Sequence, residues 1–235
     1  APGNDWLEAS DWPVAATPTA FYLSPGGSLS FSETTQVGAL PVLADPANPA
    51  DTGTGSAGFA GARDARPFET SGAAGSVLTF TSDVLTEAIE WTGAVRARLF
   101  VAVDGDDADF IARISDVYPD GRSILIADHP RRVSLRNSLN QPPVALELVN
   151  ALDFRIGWMS QIFNAGHRIR VTIACTGGPL WETVDAARPD ARVATHYLLH
   201  GPDQASHVLA PVAGAKGASQ DATFRAELAT GVFPK

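Results

Sequence analysis

The chain has one cysteine in 235 residues, so no disulfide can form within it. That residue, Cys175, closes the apolar run Val171-Thr172-Ile173-Ala174-Cys175. With no basic neighbour to lower its pKa, it reads as a small buried hydrophobe rather than a nucleophile. Basic residues are scarce as well, 17 against 26 acidic ones, for a formal charge of −9. A protein that grips phosphates needs a basic face to displace their counterions, so nucleic acid is excluded as a partner. An anionic membrane surface is disfavoured on the same ground. No run of eighteen apolar residues, no basic-then-apolar leader and no Asn-x-Ser/Thr acceptor occurs. A soluble acidic surface is expected, with the cytoplasm slightly favoured. The chain starts at Ala1 instead of methionine, which suggests either removal of a preceding segment or a piece of a longer protein.

A nucleophile elbow is also missing. Serine hydrolases on an α/β fold need Gly-x-Ser-x-Gly, whose glycines permit the strained turn that exposes the hydroxyl. Gly26-Gly27-Ser28 and Gly121-Arg122-Ser123 both lack the second glycine. Gly53-Thr54-Gly55-Ser56-Ala57-Gly58 matches a dinucleotide fingerprint letter for letter, but it follows a proline-rich stretch instead of a strand. It reads as a loop, and no cofactor is expected. His196 and His200 flank Tyr197-Leu198-Leu199, which reads as strand, so the two rings stand roughly 13 Å apart and cannot share a metal. Asp104, Asp106, Asp107 and Asp109 crowd one turn, yet glycine falls second in that turn and Ser115 stands where a calcium loop needs its bidentate glutamate. A solvated turn is expected there, and no metal.

What is present is alternation. Val95, Leu99, Val101 and Val103 share a face against Arg96 and Arg98. Phe110, Ala112 and Ile114 alternate with Ile111 and Arg113, and Ile169, Val171 and Ile173 with Arg168, Arg170 and Thr172. From Val144 to Ile156 the spacing predicts one strand, with Leu146, Leu148, Leu152 and Phe154 inward. A period of two with charges outward marks half-buried antiparallel sheets. Phe21-Tyr22-Leu23 before Pro25-Gly26-Gly27, and Val77 to Thr81, add strands. No long segment has a helical period, and only Glu182 to Ala187 suits a short helix. The expectation is an all-β sandwich of jelly-roll type over residues 1–213, with a long-looped opening segment 1–75 and an appended tail at 214–235. Trp6, Trp12, Phe21 and Tyr22 form an aromatic cluster in the opening segment. It could serve as core, sugar platform or domain interface, and interface is favoured for part of it.

Several motifs in collinear order resemble one family. Trp6-Leu7-Glu8-Ala9-Ser10-Asp11-Trp12-Pro13 and Phe21-Tyr22-Leu23 come first, then Asp45-Pro46-Ala47-Asn48-Pro49 and Arg63-Asp64-Ala65-Arg66-Pro67. Val77 to Ser82, Asp109-Phe110, Asp116-Val117-Tyr118-Pro119-Asp120-Gly121-Arg122, Gly166-His167-Arg168-Ile169-Arg170 and Ser206 to Pro211 continue the series. The run over residues 6–212 resembles the C-terminal domain of the X-prolyl dipeptidyl aminopeptidase and cocaine esterase family of serine hydrolases. The resemblance implies a galactose-binding-domain-like jelly-roll packed on an α/β-hydrolase domain that holds the whole triad. It implies no catalytic residue here, and Phe59 of the glycine-rich loop as the residue placed near the acyl pocket. Trp6, Trp12, Phe21 and Tyr22 are then candidates for the domain interface, which could also pair two copies of the chain. The sequence departs from the family between Cys175 and Arg188, where Thr176-Gly177-Gly178-Pro179-Leu180-Trp181 replaces the usual Ser-x-Phe-Pro. A free-standing carbohydrate-binding module and an independent enzyme are the other two readings, and fold alone does not choose among them.

Overall fold

The structure is a computed structural model that describes residues 10–52, 63–181 and 192–213. Strand β1 (Thr17–Ser24) runs into Pro25-Gly26-Gly27, where both glycines take φ of 77°. Only glycine adopts that conformation without strain, and the chain reverses into β2 (Ser28–Ser30) with Leu23 opposite Leu29. Strands β3 (Gly38–Ala44) and β4 (Arg63–Asp64) follow, then helix α1 (Arg66–Thr70) with Pro67 in its first turn. The remaining strands are β5 (Val77–Thr81), β6 (Ile89–Ala102), β7 (Asp109–Val117) and β8 (Ser123–Arg132). They are followed by β9 (Asn150–Phe163), β10 (Arg168–Ala174), β11 (Ala194–His200) and β12 (His207–Ala213).

Hydrogen bonds link these strands in the order β3-β11-β6-β12-β1-β2-β5-β10-β7-β8-β4, with β9 on the other side of β6. The joint between β2 and β5 is a single parallel pair, Ser28 with Thr81, and there the sheet folds over on itself. Val95, Ala97, Leu99, Leu152, Phe154 and Val208 from one half meet Phe80, Phe110, Ile114, Ile169, Val171 and Ile173 from the other in one buried cluster. The architecture is therefore an all-β sandwich, as the alternation in the sequence led one to expect.

Two strands, β11 and β12, lie end to end along one edge of β6. Leu198 pairs with Val101, and after the Gly201–Ser206 excursion His207 pairs with Arg98. Ser206 holds the break together. Its buried hydroxyl donates to the Leu199 carbonyl at 2.7 Å and accepts the Phe100 amide at 3.0 Å, while its carbonyl accepts the Leu23 amide.

In β6 the expected alternation holds, with Val95, Leu99 and Val101 buried and Arg96 and Arg98 exposed. In β7 it gives way, because both faces are covered. Phe110, Ala112 and Ile114 enter the main core, while Ile111 joins Ala50, Phe68 and Ala174 in a second cluster. Arg113 is buried with its guanidinium 4.0 Å from the Phe68 ring centre and 3.5 Å from Asp128. Helix α1 supplies Phe68 and so roofs the outer face of the second half-sheet. The expected strand from Val144 begins only at Asn150. Pro142 and Pro143 lack amide donors, and the Asn150 side chain closes a ring on the Glu147 backbone at 2.8 and 3.0 Å, so residues 144–149 stay irregular. Leu148, expected inside, is 90% exposed.

Trp91 is fully buried, its ring 4.7 Å from Phe21 and 5.0 Å from Phe163. Trp91→Ala is expected to cost about 3–5 kcal/mol in denaturant unfolding. Leu148→Ala is expected to change stability by less than about 0.5 kcal/mol.

Candidate functional site

Catalysis by a serine or cysteine requires a base beside the nucleophile. All five histidines are among the described residues, and four of them make hydrogen bonds that hold the fold. Nδ1 of His200 bonds the Gln36 carbonyl at 2.8 Å, and Nδ1 of His207 the Ala205 carbonyl at 2.7 Å. Nδ1 of His196 accepts the Asp104 amide at 3.2 Å. His167 lies 2.8 Å from a carboxylate oxygen of buried Asp116, with its ring stacked on Tyr118. None of these bonds reaches a serine, threonine or cysteine side chain. His129 packs its ring on Phe154, and burial pushes its pKa down. The Cys175 thiol is buried, and burial reinforced by the charge of Asp109 pushes its pKa well up, which suppresses the thiolate.

Three carboxylates of the Asp104–Asp109 turn, those of Asp104, Asp107 and Asp109, are likewise engaged. Asp104 pairs with Arg192, whose hydrogen bond holds its pKa down. Asp107 accepts the amides of Ala108 and Ser134 and the Ser134 hydroxyl. Asp109 takes a two-pronged bond from Arg132 at 2.9 and 3.1 Å, although burial outweighs it and raises the carboxyl's pKa. Among the described residues no group of three or more His, Cys, Asp or Glu is placed to hold a metal ion.

Of the candidates read from the sequence, Trp6 and Phe59 lie outside the described residues, as do Gly53–Gly58, Glu182–Ala187 and the tail at 214–235. Phe21 was expected at a domain interface. Instead it is 1% exposed and packs between Trp91 and Phe31, because the inward face of β1 carries it into the core. Tyr22, on the outward face, is half-buried against His207. Trp12 is 53% exposed and pairs with Trp158, 52% exposed, at 6.5 Å between ring centres. Trp158 gave no sequence signal, since it breaks the charged pattern of the outer face of β9 only after the bulge opposite Val95 and Arg96 shifts the register.

A cavity of about 290 Å³ opens between β7, β8 and the segment after β10. Ile111, Cys175, His129, Pro130, Leu139 and Trp181 are among its walls, together with the paired Arg132 and Asp109. One wall is fixed by a short ladder: the Thr52 amide donates to the Gly178 carbonyl, the Gly178 amide to the Ala50 carbonyl, and the Leu180 amide to the Thr52 hydroxyl. Gly177 lets that wall close, since a Cβ there would stand 2.8 Å from Ile111 and 3.1 Å from Trp181.

Four histidines and the carboxylates of Asp104, Asp107 and Asp109 thus make bonds within the all-β sandwich. The model of the X-Pro dipeptidyl-peptidase C-terminal non-catalytic domain matches residues 1–209, and the chain belongs to that family. It is 32% identical over 233 residues to a cocaine esterase of Rhodococcus sp. (strain MB1 Bresler), covering 89% of this chain and 40% of that protein. Among solved structures, an α-amino acid ester hydrolase superposes with a TM-score of 0.74 at 27% identity, covering 89% of this chain and 38% of the other. An aminopeptidase from a marine-sediment Thaumarchaeota archaeon shares the fold, with a TM-score of 0.80 at 22% identity over 90% of this chain and 39% of its own. The chain spans about two fifths of the length of these relatives. No helix among the described residues is long and apolar enough to cross a membrane.

The Asp116–His167 pair gives a pH prediction. Burial, partly offset by His167, raises the Asp116 pKa above its ordinary value. The folded state therefore holds this proton more tightly than the unfolded chain does. The group's contribution to stability is greatest below the ordinary carboxylate range and is lost as pH rises through the raised folded value. His167→Ala strands the carboxylate and should cost about 3–5 kcal/mol at pH 7. The loss should shrink on acidification, as followed by urea melts across pH 4–7.

Proposed function

We propose that this chain works as the C-terminal β-domain of a longer serine hydrolase, where it buttresses the α/β-hydrolase domain and shapes the active-site entrance. The family match over residues 1–209 carries this reading, because it joins a non-catalytic domain to relatives about two and a half times its length. The parent reaction is acyl transfer from an ester or amide to serine and then to water, with X-Pro peptides and acyl esters as the substrate classes to assay. The chain's own share is passive. Phe59 lines or shields the acyl pocket, a role supported by the resemblance of the glycine-rich loop Gly53–Gly58 to that of the family.

Two outcomes test this reading. The chain alone should show no turnover of an ester or X-Pro substrate, while the longer polypeptide does, and the activity should depend on a serine outside these 235 residues. In that longer polypeptide Phe59→Ala should change KM or substrate preference severalfold and leave the melting temperature unchanged. Unchanged kinetics would dismiss the role of Phe59 and leave the accessory role standing.

One observation favours a second reading, a carbohydrate-binding module. The exposed Trp12–Trp158 pair, with the Arg155 guanidinium 5.5 Å from the Trp158 ring centre, has the aromatic surface that sugar rings stack on. A sugar-induced rise in melting temperature that Trp158→Ala abolishes would support it.

A further inference from the structure

We infer that the cavity between β7, β8 and the Thr176–Trp181 segment is a socket for one apolar side chain of the hydrolase domain. This rests on the accessory role proposed above and adds where the contact is made and what chemistry it takes.

The walls set the chemistry. Ile111, Pro130, Leu139 and Trp181 are apolar, and the one strong charge pair at the site, Arg132 with Asp109, is already neutralised internally. A charged group entering would lose its hydration without gaining a counterion, so the occupant is uncharged. The hollow of about 290 Å³ admits a large side chain, and an aromatic or long aliphatic anchor seated in such a pocket is the usual centre of a protein interface. Leu139 stands beside the opening at 60% exposure, with Leu180 at 41% on the neighbouring segment. The indole N–H of Trp181 and the hydroxyl of Thr176 are buried and have no hydrogen-bond partner among the described residues.

Two other exposed surfaces set apolar side chains among charged ones. The outer face of β6 and β9 carries Arg96, Arg98, Asp153 and Arg155 together with exposed Trp158, with Arg96 paired to Asp153. The groove of about 510 Å³ between residues 28–32 and 82–89 is lined by Leu29, Phe31, Val84, Leu85 and Ile89 as well as by serines, with Asp83 and Glu87 in the same lining. The socket is also continuous with the proposed entrance, since the ladder from Thr52 to Gly178 ties its wall to the start of the glycine-rich stretch. It is built partly from the segment after β10, through Gly177 and Trp181.

Hydrogen exchange compared between this chain and the longer polypeptide tests the inference. Amides of residues 129–139 and 176–181 are expected to exchange at least about tenfold more slowly in the longer protein. Leu139→Asp should abolish that protection while leaving the melting temperature of the chain alone unchanged, because the side chain is mostly exposed. Val84→Asp, in the groove between residues 28–32 and 82–89, should leave the protection intact. Protection confined to the Trp12–Trp158 corner or to that groove would overturn the socket and leave the accessory role in place. Protection nowhere would overturn both.

Discussion

Strand β6 is the constraint on which the rest of the structure depends. It runs for 14 residues, and both its edges are used: β9 lies along one, while β11 and β12 share the other. Two strands can share an edge only if the chain leaves and returns at a fixed point. The Ser206 hydroxyl and carbonyl fix that point by joining Leu199, Phe100 and Leu23. From this arrangement follow the placement of β3 on β11 and of β1 on β12, and the closing of the core over Trp91. A hydroxyl so employed is buried, with its proton committed to the Leu199 carbonyl.

The same economy runs through the molecule. His200 and His207 bond carbonyls, His196 accepts an amide and His167 is matched to Asp116. Arg113, inside the second cluster, is stacked on Phe68 and set near Asp128. Buried polar groups like these rigidify a fold when satisfied and are costly when broken. The family to which the chain belongs is described as non-catalytic.

Much of this was legible from alternation and turns. Period two marked β6, β7 and β10, the glycines marked the turn after β1, and the collinear motifs pointed to the family. What escaped the sequence was set by tertiary context. Alternation in β7 hides a strand buried on both faces, because Arg113 reads as solvated until Phe68 is placed above it. Leu146 and Leu148 mimic a strand, while Asn150 captures the backbone that such a strand needs. Phe21 and Tyr22 are adjacent and equally aromatic, and only the direction of β1 sends one inward and the other out. The cavity could not be read at all: its walls come from residues 109–139 and 175–181, brought together by the pairing of β7 with β8 and β10.

The central claim is that this chain activates no nucleophile of its own and serves a serine housed elsewhere in a longer polypeptide. The most direct measurement is labelling with a serine-reactive fluorophosphonate, read by intact mass on the chain alone and on the longer protein. The expected result is no adduct on the chain and one adduct on the longer protein, outside these 235 residues. A stoichiometric adduct on any serine of the chain itself would contradict it.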